Sequence, residues 1–192
     1  MEQTFVAIKP DGIQRGLTSE ILTRFERAGL KIVALKMVQV SKELAEKHYP
    51  ADREELIVGM GNKTLEGYKA LEIDAKKELG TDDAREIGEL VRSWLAEYIT
   101  SGPVVAMVLE SPHAIELVRK LVGNTMPLSA SPGTIRGDYS YDSAYLGNTR
   151  KRPVKNLIHA SGNKAEADYE IPLWFTQQEI TSYRRSDEAP MA

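Results

Sequence analysis

The chain has 192 residues, with 25 Lys and Arg against 28 Asp and Glu, a net charge of -3 and a hydrophobic share of 42%. At roughly 150 residues per domain this predicts one domain with its own core, and the small acidic surplus argues against a protein built to coat nucleic acid. With no cysteine, disulfide scaffolds, thiolate metal sites and thiol nucleophiles are excluded, and a reducing compartment is permitted.

The start, Met1-Glu2-Gln3-Thr4, lacks the basic patch and apolar stretch of a secretory signal. Thr4 to Lys9 and Leu30 to Val40 read as strands, and Leu17, Ile21, Leu22, Phe25 and Ala28 between them follow helical spacing. Thr18 is expected to cap that helix and Gly29 to end it. Further on, Leu65, Tyr68, Leu71, Ala75 and Leu79 predict one amphipathic helix, and Ile87 through Ile99 a second. Gly80-Thr81-Asp82-Asp83 supplies the turn and cap between them, and the aromatics of this hairpin are read as core. Val104 to Leu109, the longest strand-like apolar run, is expected to be buried on both faces and is far too short to span a membrane. Ser111-Pro112 then starts a helix with Ile115, Val118, Leu121 and Val122 inward. From Gly123 to Gly162 periodicity fails among several Pro and Gly residues, and loops this long are usually functional. Residues 181–192 are expected to be a polar tail or a subunit contact.

Phosphate ligands require Arg or Lys, backbone N–H groups and close-approach glycines. Arg119, Thr125 and the Thr134-Ile135-Arg136-Gly137-Asp138 loop can surround a polyphosphate. His159, in Asn156-Leu157-Ile158-His159-Ala160-Ser161-Gly162, lies where a short strand gives way to small residues, and a neutral imidazole is a competent nucleophile. His113 is placed in a first helical turn and His48 on a polar helix face, and neither is assigned chemistry. Gly59-Met60-Gly61-Asn62-Lys63-Thr64 hints at a Walker loop but has Asn62 where that motif needs glycine. Arg150, Lys151, Arg152 and Lys155, preceded by Tyr139, Tyr141 and Tyr145, form a basic and aromatic mix that a solvated loop explains.

Three of these segments, Thr4-Phe5-Val6-Ala7-Ile8-Lys9-Pro10-Asp11-Gly12, Ser101-Gly102-Pro103-Val104-Val105-Ala106-Met107-Val108 and Pro132-Gly133-Thr134-Ile135-Arg136-Gly137-Asp138 with Asn156-x-x-His159, together resemble the nucleoside diphosphate kinases, and Glu170-Ile171-Pro172-Leu173-Trp174-Phe175 also fits. The resemblance implies an α+β, ferredoxin-like βαββαβ core with a four-stranded antiparallel sheet. It implies one domain over residues 1–180, with a helical insertion at about 55–99 and a loop insertion at about 140–155. It also implies ping-pong exchange of a terminal phosphate, with His159 as nucleophile and Glu170 orienting it. Lys9 and Tyr49 join them as catalytic residues, and Lys9, Arg119, Thr125, Arg136 and Asn156 are the nucleotide contacts. Magnesium arrives on the phosphates of ATP, GDP or other nucleotides, with no direct protein ligand, and a homo-oligomer, tetramer or hexamer, is implied. A cytoplasmic setting is expected, with neither membrane nor nucleic acid as partner. Ala160-Ser161-Gly162 departs from the family's Gly-Ser-Asp, and the aromatic that stacks on the base lacks an obvious counterpart. A catalytically weakened nucleotide-binding regulator is the alternative reading.

Overall fold

The computed structural model describes residues 1–186 and 188. In chain order they form β1 (Glu2–Ile8), α1 (Pro10–Gln14), α2 (Thr18–Arg27), β2 (Lys31–Gln39), α3 (Lys42–His48), α4 (Glu54–Ala70), α5 (Ala75–Leu79) and α6 (Ala84–Thr100). Then come β3 (Pro103–Ser111), α7 (Ala114–Val122), α8 (Ile135–Tyr139), α9 (Ala144–Thr149), β4 (Ile158–Ala160) and α10 (Lys164–Trp174). The strands make one antiparallel sheet in the order β2-β3-β1-β4, the ferredoxin-like arrangement, with α3 to α6 added between β2 and β3.

Alternation along β1 divides the core into two layers. Val6 and Ile8 join Val105, Met107 and Leu109 of β3 on one face, which α2 and α7 cover with Ile21, Phe25, Val118 and Val122. Phe5 and Ala7 join Val104, Ala106 and Val108 on the other, covered by Ala45, Ile99 and Trp174. Each large side chain so buried contributes about 1.5–3 kcal/mol. The central β3 is apolar on both faces because both are covered. No helix among the described residues is long and apolar enough to cross a membrane.

Local expectations fared unevenly. Gly29 ends α2 at φ 85, Gly80 ends α5 at φ 85, and the Asp83 side chain caps α6 by accepting from the Glu86 N–H at 2.9 Å. Thr18, however, is the first helical residue of α2 and makes no cap; Leu17 holds that position. The single helix through Leu65 and Leu79 is broken after Ala70, because Glu72 turns at φ 57, the Ile73 N–H returns to the Tyr68 carbonyl, and Asp74 caps a new helix through the Lys77 N–H. Ser111 ends β3 instead of starting α7; that helix is capped from far away in sequence, by the Glu2 carboxylate accepting from the Ile115 N–H at 2.9 Å. The Gly123 to Gly162 stretch holds α8, α9 and β4, so it is only partly irregular. Of residues 181–192, 187 and 189–192 lie outside the described residues, and Thr181 donates to the Val33 carbonyl at 2.7 Å.

Candidate active site

β4 is short, and its middle residue, His159, pairs with Ala7. The approach to it is tightly held. Leu157 is fully buried at φ 68, a backbone state costly for a branched side chain, and is pinned there because its N–H donates to Asp11 Oδ2 at 3.1 Å and its carbonyl accepts from the Lys9 N–H at 2.8 Å. α10 then turns Ala167, Glu170 and Trp174 toward the sheet at helical spacing.

Glu170 Oε1 lies 2.8 Å from His159 Nε2, and its Oε2 accepts from the Ser161 hydroxyl at 2.5 Å. Burial alone would raise the Glu170 carboxyl; the His159 ring beside it and the Ser161 hydroxyl outweigh burial and hold it at about 2. An ionised carboxylate only accepts, so Nε2 carries the imidazole proton and Nδ1 keeps the lone pair. His159 borders a cavity of about 470 Å³.

The same cavity is lined by Lys9 after β1, Tyr49 at the end of α3, Arg119 in the last turn of α7, Thr125, Arg136 on α8 and Asn156 before β4. Six chain segments thus converge from element ends, with Glu170 behind the histidine. Lys9 Nζ donates to Asn156 Oδ1 at 2.8 Å, and Asn156 Nδ2 to the Thr125 carbonyl at 3.0 Å. Burial, then the Arg136 charge, lowers the Lys9 ammonium to about 7. Burial raises the Tyr49 hydroxyl, with the Glu170 charge adding to it. Arg136 spends its guanidinium on four carbonyls, those of Asn156, Gly123, Asn124 and Ile158, at 2.6–3.1 Å. Burial, then Arg119, lowers it to about 9, so it stays charged at neutral pH. The Arg119 guanidinium and Thr125 hydroxyl have no hydrogen-bond or ion-pair partner among the described residues.

The wall opposite is apolar: Val91, Trp94 and Leu95 from α6, Leu56 and Met60 from α4, and Pro153 and Val154 before β4. Trp94 is therefore not simply core as its spacing suggested; it is half-buried and offers an aromatic to this wall. Its i, i+3, i+4 pattern could not distinguish lining a cavity from filling a core. At Gly162 an added Cβ would stand 3.0 Å from Glu166 Oε2, so the Glu166 carboxylate occupies the space of a side chain at 162. It accepts there from the Gly162 N–H at 2.7 Å.

His48 is the residue that sequence reasoning missed. It is buried beside His159, with ring centroids 4.6 Å apart, instead of lying on a polar face. Trp174 Nε1 donates to His48 Nδ1 at 3.3 Å, and burial above all, then the neighbouring His159, pushes the ring down to about 3. His48 is thus neutral, and its 3.8 Å approach to Glu170 is not a salt bridge. Its spacing with Ala45, i and i+3, was the available signal. His113 precedes α7 at φ 60 without a side-chain capping bond, away from the cavity. Of the basic run, Arg152 pairs bidentately with Asp142 at 2.6 and 3.1 Å and lines the cavity.

The model of the nucleoside diphosphate kinase family matches residues 2–58 and 89–180. A nucleoside diphosphate kinase of Pyrobaculum aerophilum is 51% identical over 180 residues, covering 94% of this chain and 98% of the relative. One of Archaeoglobus fulgidus is 41% identical, covering 98% and 95%. Among solved structures, an NDP kinase from Pyrobaculum aerophilum superposes with a TM-score of 0.91 at 50% identity, covering 94% of this chain and 99% of that one. A transition-state mimic of the Borrelia burgdorferi enzyme, with bound vanadate and ADP, gives 0.80 at 39% identity, covering 98% and 95%. Matches of this extent, over nearly the whole chain, place it in the nucleoside diphosphate kinase family.

Proposed function

We propose that this protein moves the terminal phosphate of a nucleoside triphosphate to a nucleoside diphosphate in two half-reactions at His159. Nδ1 attacks the terminal phosphorus, the bond to the bridging oxygen breaks, and the nucleoside diphosphate departs with that electron pair. An oxygen of the next diphosphate then attacks the same phosphorus, and the P–N bond returns its pair to Nδ1. No proton need move, because Nε2–H stays on Glu170 throughout. The observation that carries this reading is the 2.8 Å pairing of His159 Nε2 with Glu170, which leaves one nitrogen for the cavity.

In this proposal Arg119, Thr125 and Arg136 hold phosphate oxygens, Lys9 and Asn156 reach the sugar hydroxyls, and Tyr49 joins Lys9 beside the reacting phosphate. Positioned charge of this kind supplies most of the catalysis in phosphoryl transfer. Trp94 and Val91 give the base an apolar surface that reads little sequence of atoms, which suits exchange among nucleotides. Magnesium enters as part of the substrate, on phosphate oxygens and water. The cavity fits that mode, since Glu166, the carboxylate lining it, already accepts from Gly162 and Asn163, and the other titratable groups there are the neutral Tyr49 hydroxyl and nitrogen bases. When bound, the ion neutralises phosphate charge.

Two further parts belong to the same proposal. A homo-oligomer, tetramer or hexamer, is favoured by β2, an edge strand that exposes Leu35 and Met37, at 49% and 63%. Residues 1–180 form one domain, with α4 to α6 and residues 140–155 as additions to it; a cytoplasmic setting suits the lack of cysteine. The direct test is His159→Ala. It should abolish phosphate exchange with an unchanged melting temperature, and full exchange in that variant would overturn the assignment.

A further inference from the structure

The run Gly59-Met60-Gly61-Asn62-Lys63-Thr64 is not a phosphate loop. It lies inside α4, whose backbone N–H groups serve the helix, and Gly61 is required for packing, because a Cβ there would stand 1.7 Å from the Ala84 carbonyl oxygen. Its lysine has a different position. Lys63 lines the cavity that holds Lys9, His159 and Arg136, and it also lines an adjoining groove with Arg119 and Thr125. Lys63 therefore stands at the cavity's edge on the side of Arg119 and Thr125, while the apolar wall of Trp94 and Val91 faces only the main cavity.

Neither cation is compensated. Glu66 shares the groove but forms no ion pair with Lys63, and no described acid pairs with Lys63 or Arg119; the Arg152 charge, by contrast, is matched by Asp142. Two cations without an ion-pair partner, beside a free hydroxyl and in the cavity that also holds Arg136, make a positive rim that complements a polyanion.

We propose that Lys63 is a further phosphate-binding residue, reaching from α4 to the phosphate chain of the bound nucleotide and holding it together with Arg119. This rests on the nucleotide-exchange reading above. Residues 59–88 fall outside the match to the family model, so this contact belongs to the added helices and not to the shared framework.

Calorimetric titration with ADP and with adenosine tests it, on the whole protein and on Lys63→Met, Lys63→Arg, Arg119→Gln and the control Lys69→Gln, an exposed site on the same helix. Lys63→Met should weaken ADP about three- to tenfold at low salt, flatten the salt dependence, and leave adenosine affinity and melting temperature unchanged. Lys63→Arg should restore ADP affinity, and Lys69→Gln should behave as the parent. If Lys63→Met binds ADP like the parent while Arg119→Gln is weakened, the inference fails and the site reading stands. Equal loss for ADP and adenosine would make Lys63 a wall residue and also overturn it. If the parent does not bind ADP, or Arg119→Gln binds it normally, the site reading itself fails.

Discussion

His48 stands edge-on to His159, with ring planes at 80°, and remains neutral because it is buried against Trp174 and Phe5. A depressed imidazole has a definite sign in stability. Unfolded, the ring protonates near ~6.5; folded, it resists until about 3. The stability it supplies is full above the unfolded value and is lost as pH falls toward about 3, at about 1.4 kcal/mol per pH unit. In His48→Asn, whose Oδ1 can still accept from Trp174, this part of the acid unfolding curve should flatten. Equal slopes for parent and variant, followed by circular dichroism, would show that His48 titrates as if exposed.

Replacing Glu170 with Gln keeps the side-chain shape but removes the charge that fixes Nε2–H. Formation of the phosphorylated protein should slow about a hundredfold or more, by analogy with other histidine–carboxylate pairs. The depressed Glu170 acid contributes stability that is present above its unfolded value near ~4.3 and lost as pH falls through about 2, so the variant should lack that step as well. A rapid-quench rate equal to the parent's would remove Glu170 from the mechanism.

Arg136, a phosphate ligand in the proposed function, is also a structural clamp. Its four carbonyl partners tie α8 to the residues after α7 and to both sides of Leu157. Lysine cannot make that fork, so Arg136→Lys should cost about 3 kcal/mol or more in chemical denaturation as well as weakening nucleotide binding. A variant of parental stability would mean that the clamp is dispensable.

Lys9, lowered to about 7, is largely neutral at pH 8 in the free protein. A polyanionic nucleotide favours its charged form, so binding at pH 8 should take up a proton, and binding at pH 6 should not. Titrations in buffers of different ionisation enthalpy measure this uptake. Lys9→Met should abolish it, and an unchanged uptake in that variant would assign the proton elsewhere.

The sheet was legible because β1 and β3 carry apolar patterns long enough to fix their faces, and Gly29 and Gly80 mark stops that only a left-handed residue provides. Arg119, Arg136 and His159 were singled out by residue chemistry, but their convergence with Lys9 and Asn156 on one cavity was expected only from a resemblance, since no periodicity brings them together. What escaped was decided by contacts and turns that spacing does not carry. Glu2 caps α7 from β1, a local turn at Glu72 breaks a helix whose spacing looked continuous, and Trp94 has a helical pattern equally suited to a core or a cavity wall. His48 was hidden by its neighbours, because Lys47 and Glu46 make the segment look polar although one face of α3 is buried.

The most direct test of the account is to incubate the protein with magnesium and ATP labelled on its terminal phosphate, isolate it, and add unlabelled GDP. The account predicts an acid-labile, base-stable label on the peptide containing His159, which passes to GDP. Absence of label, under conditions where ATP demonstrably binds, would contradict it.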